Sequence, residues 1–177
     1  MPVFEFERPQ RFVAGTVGPP GQRTFFLQAR DGTRLVSVSC EKEQLTVLAE
    51  RIEALLDEYA VAAGDTTASV ASADNDPLEA PIEDEFRVNT ISLGWDPQRE
   101  AVLLEADHEP DLDTGGEVPA PSEEEYSVRV VLLPAQARAF AQRTRALVAA
   151  GRPPCPFCGG PLDASGHVCP RANGYRR

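Results

Sequence analysis

The chain is predicted to be an α+β protein in which antiparallel sheet strands are covered by two amphipathic helices, and three observations support this. Short apolar runs are separated by turn residues, as is typical of β-strands. Two longer runs carry apolar residues at helical spacing. The order of strands and helix recurs in the second half of the chain, which indicates a pseudo-duplicated arrangement.

The first third of the sequence contains four strand-like runs that end at turns. Asp31-Gly32 lies between two of these runs and favours a β-hairpin, because glycine adopts a positive φ without steric cost. A helix is predicted over residues 41–60, where Leu45, Leu48 and Ile52 share one face. The strand-like runs are residues 4–7, 11–18, 23–29 and 34–40.

The second part of the chain repeats this order after a first acidic segment, and a second acidic segment precedes its last strand. Strands are predicted over residues 86–94, 100–107 and 126–133, and a helix over residues 134–151. Pro134 suits the first turn of that helix, and Gly151 suits its C-terminal end. The segments at residues 62–84 and 107–123 have little apolar surface to offset the entropy of ordering, so they are predicted to be flexible loops.

Matching residues indicate that the two halves are copies of one unit, although Ala- and Leu-rich helices also match by chance. The prediction is a core over residues 1–151, made of halves 1–61 and 85–151 related by pseudo-twofold symmetry. An offset of 76 aligns Arg11, Gly18, Gln22, Arg23 and Leu27 with Arg87, Gly94, Gln98, Arg99 and Leu103. An offset of 92 aligns Gln44, Ala49, Arg51, Ala54 and Leu55 with Gln136, Ala141, Arg143, Ala146 and Leu147.

The composition limits the classes of partner. The net charge of -11 argues against non-specific binding of nucleic acid or of an anionic membrane by the chain as a whole. From Pro134 onward, however, the sequence contains seven arginines and only one acidic residue. No apolar run approaches the roughly 20 residues of a membrane span, and the first residues lack the pattern of a signal peptide. A cytoplasmic protein is therefore expected.

Three of the four cysteines lie in the stretch CPFCGGPLDASGHVC at residues 155–169. Clustered cysteines in a reducing compartment favour a metal site or a redox pair over a disulfide framework. Cys155 and Cys158 form one close pair, and His167 and Cys169 form a second pair on one face of an extended strand. The four residues predict a tetrahedral Zn²⁺ site in a small C-terminal ribbon, residues 152–177.

Other interpretations of this stretch stay open. In a glutaredoxin-type redox centre the first cysteine begins a helix, whereas Cys158 is followed by Gly-Gly-Pro, which breaks a helix. Iron in place of zinc, or cysteines that bind nothing, are further alternatives. Four protein ligands leave no position for an activated water, so the site is expected to be structural and no catalytic residue is assigned.

Two sets of arginines are candidates for binding. Arginines that recur in both halves could bind a phosphorylated ligand if they converge on one point. They are Arg11, Arg23, Arg87 and Arg99. Residues at the basic C-terminus could bind an acidic partner, because no core remains to be filled there. They are Arg171, Tyr175, Arg176 and Arg177. A Ser-His-Asp triad would have to use His108, in an acidic loop.

Three segments resemble one known family: RFVAGTVGPPGQRTFFLQA, EKEQLTVLAERIEALLDE and the ending CPFCGGPLDASGHVCPRANGYRR. The chain resembles an uncharacterised actinobacterial family, domain of unknown function three thousand and ninety, over nearly its whole length. Family members tend to be encoded beside a histidine-phosphatase-like protein and a protein that resembles phosphatidylinositol kinases. The resemblance therefore implies a shared pathway, with protein partners among those products, but no activity for this chain.

Three functions remain under consideration. The first is a non-enzymatic, zinc-binding interaction or adaptor protein whose arginine-rich end meets a protein partner. The second is an enzyme or sensor that binds a phosphorylated small ligand through the repeated arginines. The third is nucleic-acid binding by the C-terminal ribbon, which would weaken steeply with salt. Paired and scattered arginines would favour the first function, and converging arginines would favour the second.

Overall fold

The computed structural model describes residues 3–62, 74–108, 125–151 and 155–160, together with Leu162, His167, Cys169 and Arg171. It has the α+β architecture that the sequence predicts. The elements in chain order are β1 (Val3–Glu7), β2 (Arg11–Val17), β3 (Thr24–Asp31), β4 (Arg34–Cys40), α1 (Lys42–Ala62), β5 (Asp84–Arg87), β6 (Thr90–Asp96), β7 (Ala101–His108), β8 (Tyr126–Leu132) and α2 (Pro134–Ala149).

The strands form two four-stranded sheets, with the orders β2-β3-β4-β5 (the first sheet) and β1-β8-β7-β6 (the second sheet). In each sheet three consecutive strands are antiparallel, as predicted. The fourth strand of each sheet is parallel to its neighbour: β5 to β4, and β1 to β8. Both sheets are therefore mixed. Parallel neighbours need long connections, so no turn motif predicts them.

The run at residues 86–94, predicted as one strand, is two strands in different sheets. β5 ends at Arg87 in the first sheet, and β6 begins at Thr90 in the second. The Val88 N–H donates to the Ser39 carbonyl oxygen (2.8 Å), whereas the Asn89 N–H donates to that of Asp107 (2.8 Å). These adjacent residues bond to opposite sheets, so the chain crosses between the sheets here.

The two halves correspond in element order and in strand register. β8 begins 92 residues after β4, and α2 begins 92 residues after α1, as the offset of 92 requires. The offset of 76 does not describe the hairpins. Gly15 pairs with Phe26, and at the same position of the other hairpin Gly94 pairs with Leu103, so Gly94 corresponds to Gly15 and not to Gly18. An origin by duplication stays a prediction.

The first strand of each half pairs with a strand of the other half. β1 precedes β2 in the chain but pairs with β8, and β5 precedes β6 but pairs with β4. Helix α1 packs against α2 and β6, and α2 packs against β2. One core joins both halves. Among its members are Phe6, Leu27, Val38, Leu45, Ile52, Leu104, Val130 and Phe140.

A glutamine in the first turn of each helix fixes where the helix begins. Gln44 Oε1 accepts from the Glu41 N–H (2.8 Å), and Gln136 Oε1 accepts from the Leu133 N–H (3.2 Å). The side-chain amide of Gln44 donates to the Asn89 carbonyl oxygen, where the chain crosses from β5 to β6. That of Gln136 donates to the Pro9 carbonyl oxygen, where the chain crosses from β1 to β2. The matching glutamines therefore tie each helix to the point where the chain changes sheet.

Part of the first acidic segment lies on the first sheet. Leu78 covers Gly15 of β2, and Gln28 of β3 exchanges two hydrogen bonds with the backbone of Glu79 (2.8 and 2.9 Å). For residues 74–83 these contacts differ from the flexible loop expected from composition. The rest of that segment, residues 63–73, and residues 109–124 of the second acidic loop lie outside the described residues.

Neither described helix combines the length and the apolar character that crossing a lipid bilayer requires.

Candidate metal centre

Four side chains near the C-terminus bring their ligand atoms within 4.8 Å of one another: Cys155, Cys158, His167 and Cys169. The Cys155 and Cys169 Sγ atoms lie 3.8 Å apart, and Cys158 Sγ lies 3.4 Å from His167 Nε2. A tetrahedral ion with Zn–S bonds of about 2.3 Å places two sulfur ligands about 3.8 Å apart. The cluster therefore has the size and the chemistry to hold a metal ion.

A tight turn at residues 155–160 sets the direction of the first two thiols. The Gly159 N–H donates to the Cys155 carbonyl oxygen (2.8 Å), and the Cys155 N–H donates to that of Gly160 (2.7 Å). Gly159 has a φ of +75°, which a glycine adopts without steric cost. The Phe157 N–H lies 3.5 Å from Cys155 Sγ. The turn thus curls around the sulfur and directs a backbone donor to it.

The two thiols of the turn have different acidities. Burial opposes ionisation of Cys155, but hydrogen bonds from the backbone of Cys158 and Phe157 outweigh it and lower the pKa of the Cys155 thiol. A backbone hydrogen bond from Gly160 favours the Cys158 thiolate, but burial and the neighbouring thiols raise the pKa of Cys158. Metal binding requires thiolates, so a bound cation would complete the deprotonation that the turn begins at Cys155.

His167 completes the donor set. Its Nε2 faces the Cys158 sulfur, and its Nδ1 is buried without a hydrogen-bond partner in the part of the chain that the structure describes. Three thiolates and one imidazole are a common set for tetrahedral zinc. Such a set fills all four positions of a tetrahedron and leaves none for substrate.

The rim of the cluster is exposed, although two of its cysteines are buried. Cys155 is 5% exposed and Cys169 is 8% exposed, whereas the Phe157 side chain between the first two cysteines is 64% exposed. Arg171 Nη1 donates to the Phe157 carbonyl oxygen (3.3 Å), which places this arginine at the same rim. The other predicted partner-binding residues, Tyr175, Arg176 and Arg177, lie outside the described residues.

The four arginines predicted from the repeat have separate partners. Arg11 pairs with Asp74 and Glu79, Arg87 with Glu41, and Arg99 with Glu7 and Asp96. Arg23 Nη1 donates to the Ala150 carbonyl oxygen (2.9 Å). Three of these four arginines therefore form ion pairs with carboxylates.

Sequence reasoning missed an ion cluster between α2 and β2. Asp74 lies between Arg11 and Arg143, with Asp74 Oδ2 2.6 Å from Arg11 Nε and Asp74 Oδ1 3.1 Å from Arg143 Nη1. Its hydrogen bond with Arg11 lowers the pKa of the Asp74 carboxyl below the ordinary value of 3.8. The one available signal in the sequence was that an arginine recurs at matching helix positions, as Arg51 and Arg143.

His108 does not form a triad among the described residues. Its Nδ1 lies 2.9 Å from the Arg87 carbonyl oxygen and 2.7 Å from Asn89 Oδ1. A catalytic triad requires a serine hydroxyl against one ring nitrogen and a carboxylate against the other. The contacts of His108 instead tie β7 to the crossing between the sheets.

Comparison with known proteins supports one assignment. No curated protein and no solved structure matches the chain. A family model matches residues 4–169, a range that includes all four cysteine and histidine ligands. The chain therefore belongs to the family described as "Protein of unknown function (DUF3090)".

Proposed function

We propose that this protein is a non-enzymatic interaction or adaptor protein whose C-terminal ribbon is held by a structural zinc ion. The observation that carries the proposal is the cluster of four ligand atoms within 4.8 Å. Zinc suits three thiolates and one imidazole, and it needs no redox partner. A filled tetrahedron holds a short chain segment in one shape, which is what a segment with little apolar core requires.

The exposed rim of the cluster is the proposed binding surface. Phe157 offers an aromatic side chain at 64% exposure, and Arg171 lies beside it. Aromatic and arginine side chains are enriched at the centres of protein interfaces. The tail adds Tyr175, Arg176 and Arg177 in sequence. An acidic protein surface complements these charges and would speed the encounter.

The resemblance to the family also bears on the partner. The phosphatase-like and kinase-like products encoded beside family members are the first proteins to test, in the cytoplasm. Three of the predicted arginines, Arg11, Arg87 and Arg99, form ion pairs with carboxylates. An arginine in an ion pair is less available to bind a phosphate, so these pairs support an interaction protein over a phosphate-binding enzyme.

A pulldown with the zinc-loaded full chain tests this function. Wild-type protein should recover the same partner from native extract repeatedly, and Cys158→Ser or a chelator should abolish that recovery. A truncation after Arg171 removes the tail and keeps the contact with Phe157, so it separates the tail from the rim. Equal recovery by wild type and Cys158→Ser would contradict the proposal. Recovery of nucleic acid that falls steeply with salt would replace it with the nucleic-acid function.

A second candidate function rests on one cavity. Arg23 and Lys42 line a cavity of about 200 Å³ beside Leu147 and Gly151, and neither has a carboxylate partner among the described residues. Two cations from different elements could bind the phosphate of a small ligand. Titration with inorganic phosphate tests this. Heat of binding that both Arg23→Ala and Lys42→Ala remove would support it, and no heat in wild type would exclude it.

A further inference from the structure

Two cavities of the protein correspond residue by residue. One lies between α2 and β2, and the other lies between α1 and β6. The first is lined by Gln10, Phe12, Gln136, Ala139, Phe140 and Arg143. The second is lined at the matching positions by Asn89, Ile91, Gln44, Val47, Leu48 and Arg51. The two cavities are therefore one kind of site, present once in each half.

The α2–β2 cavity is occupied by the chain itself. Arg143, 11% exposed, donates to the Ala14 carbonyl oxygen on the edge of β2 (2.9 Å), to Asp74 Oδ1 (3.1 Å) and to the Asp76 carbonyl oxygen (2.7 Å). Beyond the edge, Leu78 lies over Gly15, and the remaining cavity measures about 130 Å³. The acidic segment thus meets the helix arginine at Asp74 and then passes over the face of the first sheet that carries Gly15 and Gln28.

The α1–β6 cavity is open. It measures about 450 Å³, and Arg51 has no hydrogen bond or ion pair within the described residues. A Cβ atom on Gly94 would meet nothing within 4 Å. β6 is also the edge strand of its sheet, so one side of its backbone has no neighbouring strand among the described elements. The helix arginine and the strand glycine are both present, and no described segment covers them. The positions of Arg11 and Gln28 hold Thr90 and Glu105 in this half.

We propose that the α1–β6 cavity and the adjoining face of β6 bind a segment of a partner protein, which gives a carboxylate to Arg51 and lays an apolar side chain over Gly94. In the matching cavity the apolar Leu78 follows the acidic Asp74 by four positions. We expect the same spacing between the acidic and the apolar residue of the partner segment. Residues 74–79 are held by side chains of Arg143 and Gln28, and we expect the partner segment to be held through side-chain contacts in the same way. This surface is separate from the metal centre and goes beyond the proposed function.

The charges around the cavity refine the chemistry of the partner segment. Asp107 stands at the strand position that corresponds to Arg30, which pairs with Glu79 in the first half. Asp107 Oδ1 is buried and has no partner in the described part of the chain. The residue after the apolar one should therefore be basic. Glu43 and Glu58 flank Arg51, so the remaining positions of the segment should be uncharged.

A second copy of the chain is a poorer occupant. Two copies that meet edge to edge along β6 would bring the exposed carboxylates of their α1 helices, Glu43, Glu50 and Glu58, towards one another. Like charges that face each other disfavour such a contact. A different protein with a complementary segment is therefore the better occupant.

A synthetic peptide provides the probe: residues 74–80 of this chain with Asp76→Asn and Glu79→Lys, blocked at both ends. It is titrated into zinc-loaded full-length protein while methyl NMR signals of Val47, Leu48, Ile91 and Leu93 are recorded. These signals should shift, with a dissociation constant of about 1 mM or below. A matched peptide with Asp74→Asn should bind at least about fivefold more weakly, because it lacks the charge that Arg51 contacts.

Variants locate the site. Arg51→Ala should weaken binding of the aspartate peptide by about fivefold to tenfold and remove the difference between the two peptides. Gly94→Val should also weaken it, by filling the space for the apolar side chain. Arg99→Ala is the control, since Arg99 lies outside the cavity and pairs with Glu7 and Asp96.

Three outcomes would overturn the proposal. The first is the absence of any shift at several millimolar peptide. The second is a set of methyl shifts at Val13 and Ala139 only, which would mean that the peptide replaces residues 74–79 in the matching cavity. The third is a concentration-dependent shift of the α1–β6 signals without peptide, which would identify a second copy as the occupant. Metal content and partner recovery are measured separately, so failure here leaves the proposed function standing.

Discussion

Gly15 and Gly94 occupy the same position in the outer strands of the two hairpins, yet their surroundings are opposite. A Cβ atom on Gly15 would lie 2.4 Å from Leu78 Cγ, whereas one on Gly94 would have no atom within 4 Å. The difference arises because residues 74–79 cover the face of β2 that carries Gly15, and no described residue covers the matching face of β6.

This difference predicts the outcome of a matched pair of substitutions. Gly15→Ala should lower the free energy of unfolding by about 1–3 kcal/mol, because the added methyl group forces Leu78 out of place. Gly94→Ala should change it by no more than about 0.5 kcal/mol. Denaturant titrations measure both, and Leu78→Ala should restore part of the loss in Gly15→Ala. Equal effects at the two glycines would show that Leu78 does not rest on Gly15.

The ion cluster around Asp74 predicts a dependence of stability on pH. The folded protein holds the pKa of Asp74 below its ordinary value of 3.8, chiefly through the hydrogen bond from Arg11. The stability that this carboxylate contributes should be present above about pH 4 and lost as the pH falls through the lowered pKa. Asp74→Asn should lower the free energy of unfolding by about 1–2 kcal/mol at pH 7, and the difference should shrink as the pH falls below about 4.

The control for Asp74 is an exposed ion pair. Asp57 is 72% exposed and lies 3.2 Å from Arg138. Asp57→Asn should change the free energy of unfolding by less than about 0.5 kcal/mol at any pH, because solvent screens the pair. A similar pH dependence in both variants would assign the effect to the overall negative charge and not to the cluster.

The metal centre predicts a stoichiometry and a separable core. Elemental analysis of protein purified without chelators should find about one zinc per chain. Cys158→Ser should release the metal, while the far-ultraviolet circular dichroism of the helices and sheets should persist, because the main hydrophobic core contains none of the four ligands. Protein without metal would refute the zinc assignment, and global unfolding of Cys158→Ser would show that ribbon and core fold as one unit.

The four cysteines should differ in reactivity. Burial raises the pKa of Cys40 to about 12, and its side chain is only 6% exposed, so its thiolate is scarce at neutral pH. A colorimetric thiol reagent should count no fast thiols in zinc-loaded protein and three after chelation, with Cys40 reacting only on unfolding. Cys158→Ser should reduce the fast count to two. A fourth fast thiol in folded protein would mean that Cys40 is not buried.

The sequence alone predicted the features that depend on residues close to one another along the chain. Helical spacing predicted α1 and α2, and Asp31-Gly32 predicted the hairpin between β3 and β4, which closes with Asp31 opposite Arg34. The four metal ligands were predicted because they lie within fifteen residues, where a short turn can gather them. Spacing, turn chemistry and ligand type act over short stretches of chain, so they can be recognised in the sequence itself.

Only the tertiary structure decided which distant surfaces meet. Val88 and Asn89 bond to different sheets because β5 pairs with β4 and β6 pairs with β7, although residues 86–94 were predicted as one strand. Within the described residues Arg143 is hydrogen-bonded and Arg51 is not, although the two match in sequence, because residues 74–76 reach only Arg143. Partners far apart in sequence are chosen by the joint burial of many surfaces, which no single segment encodes.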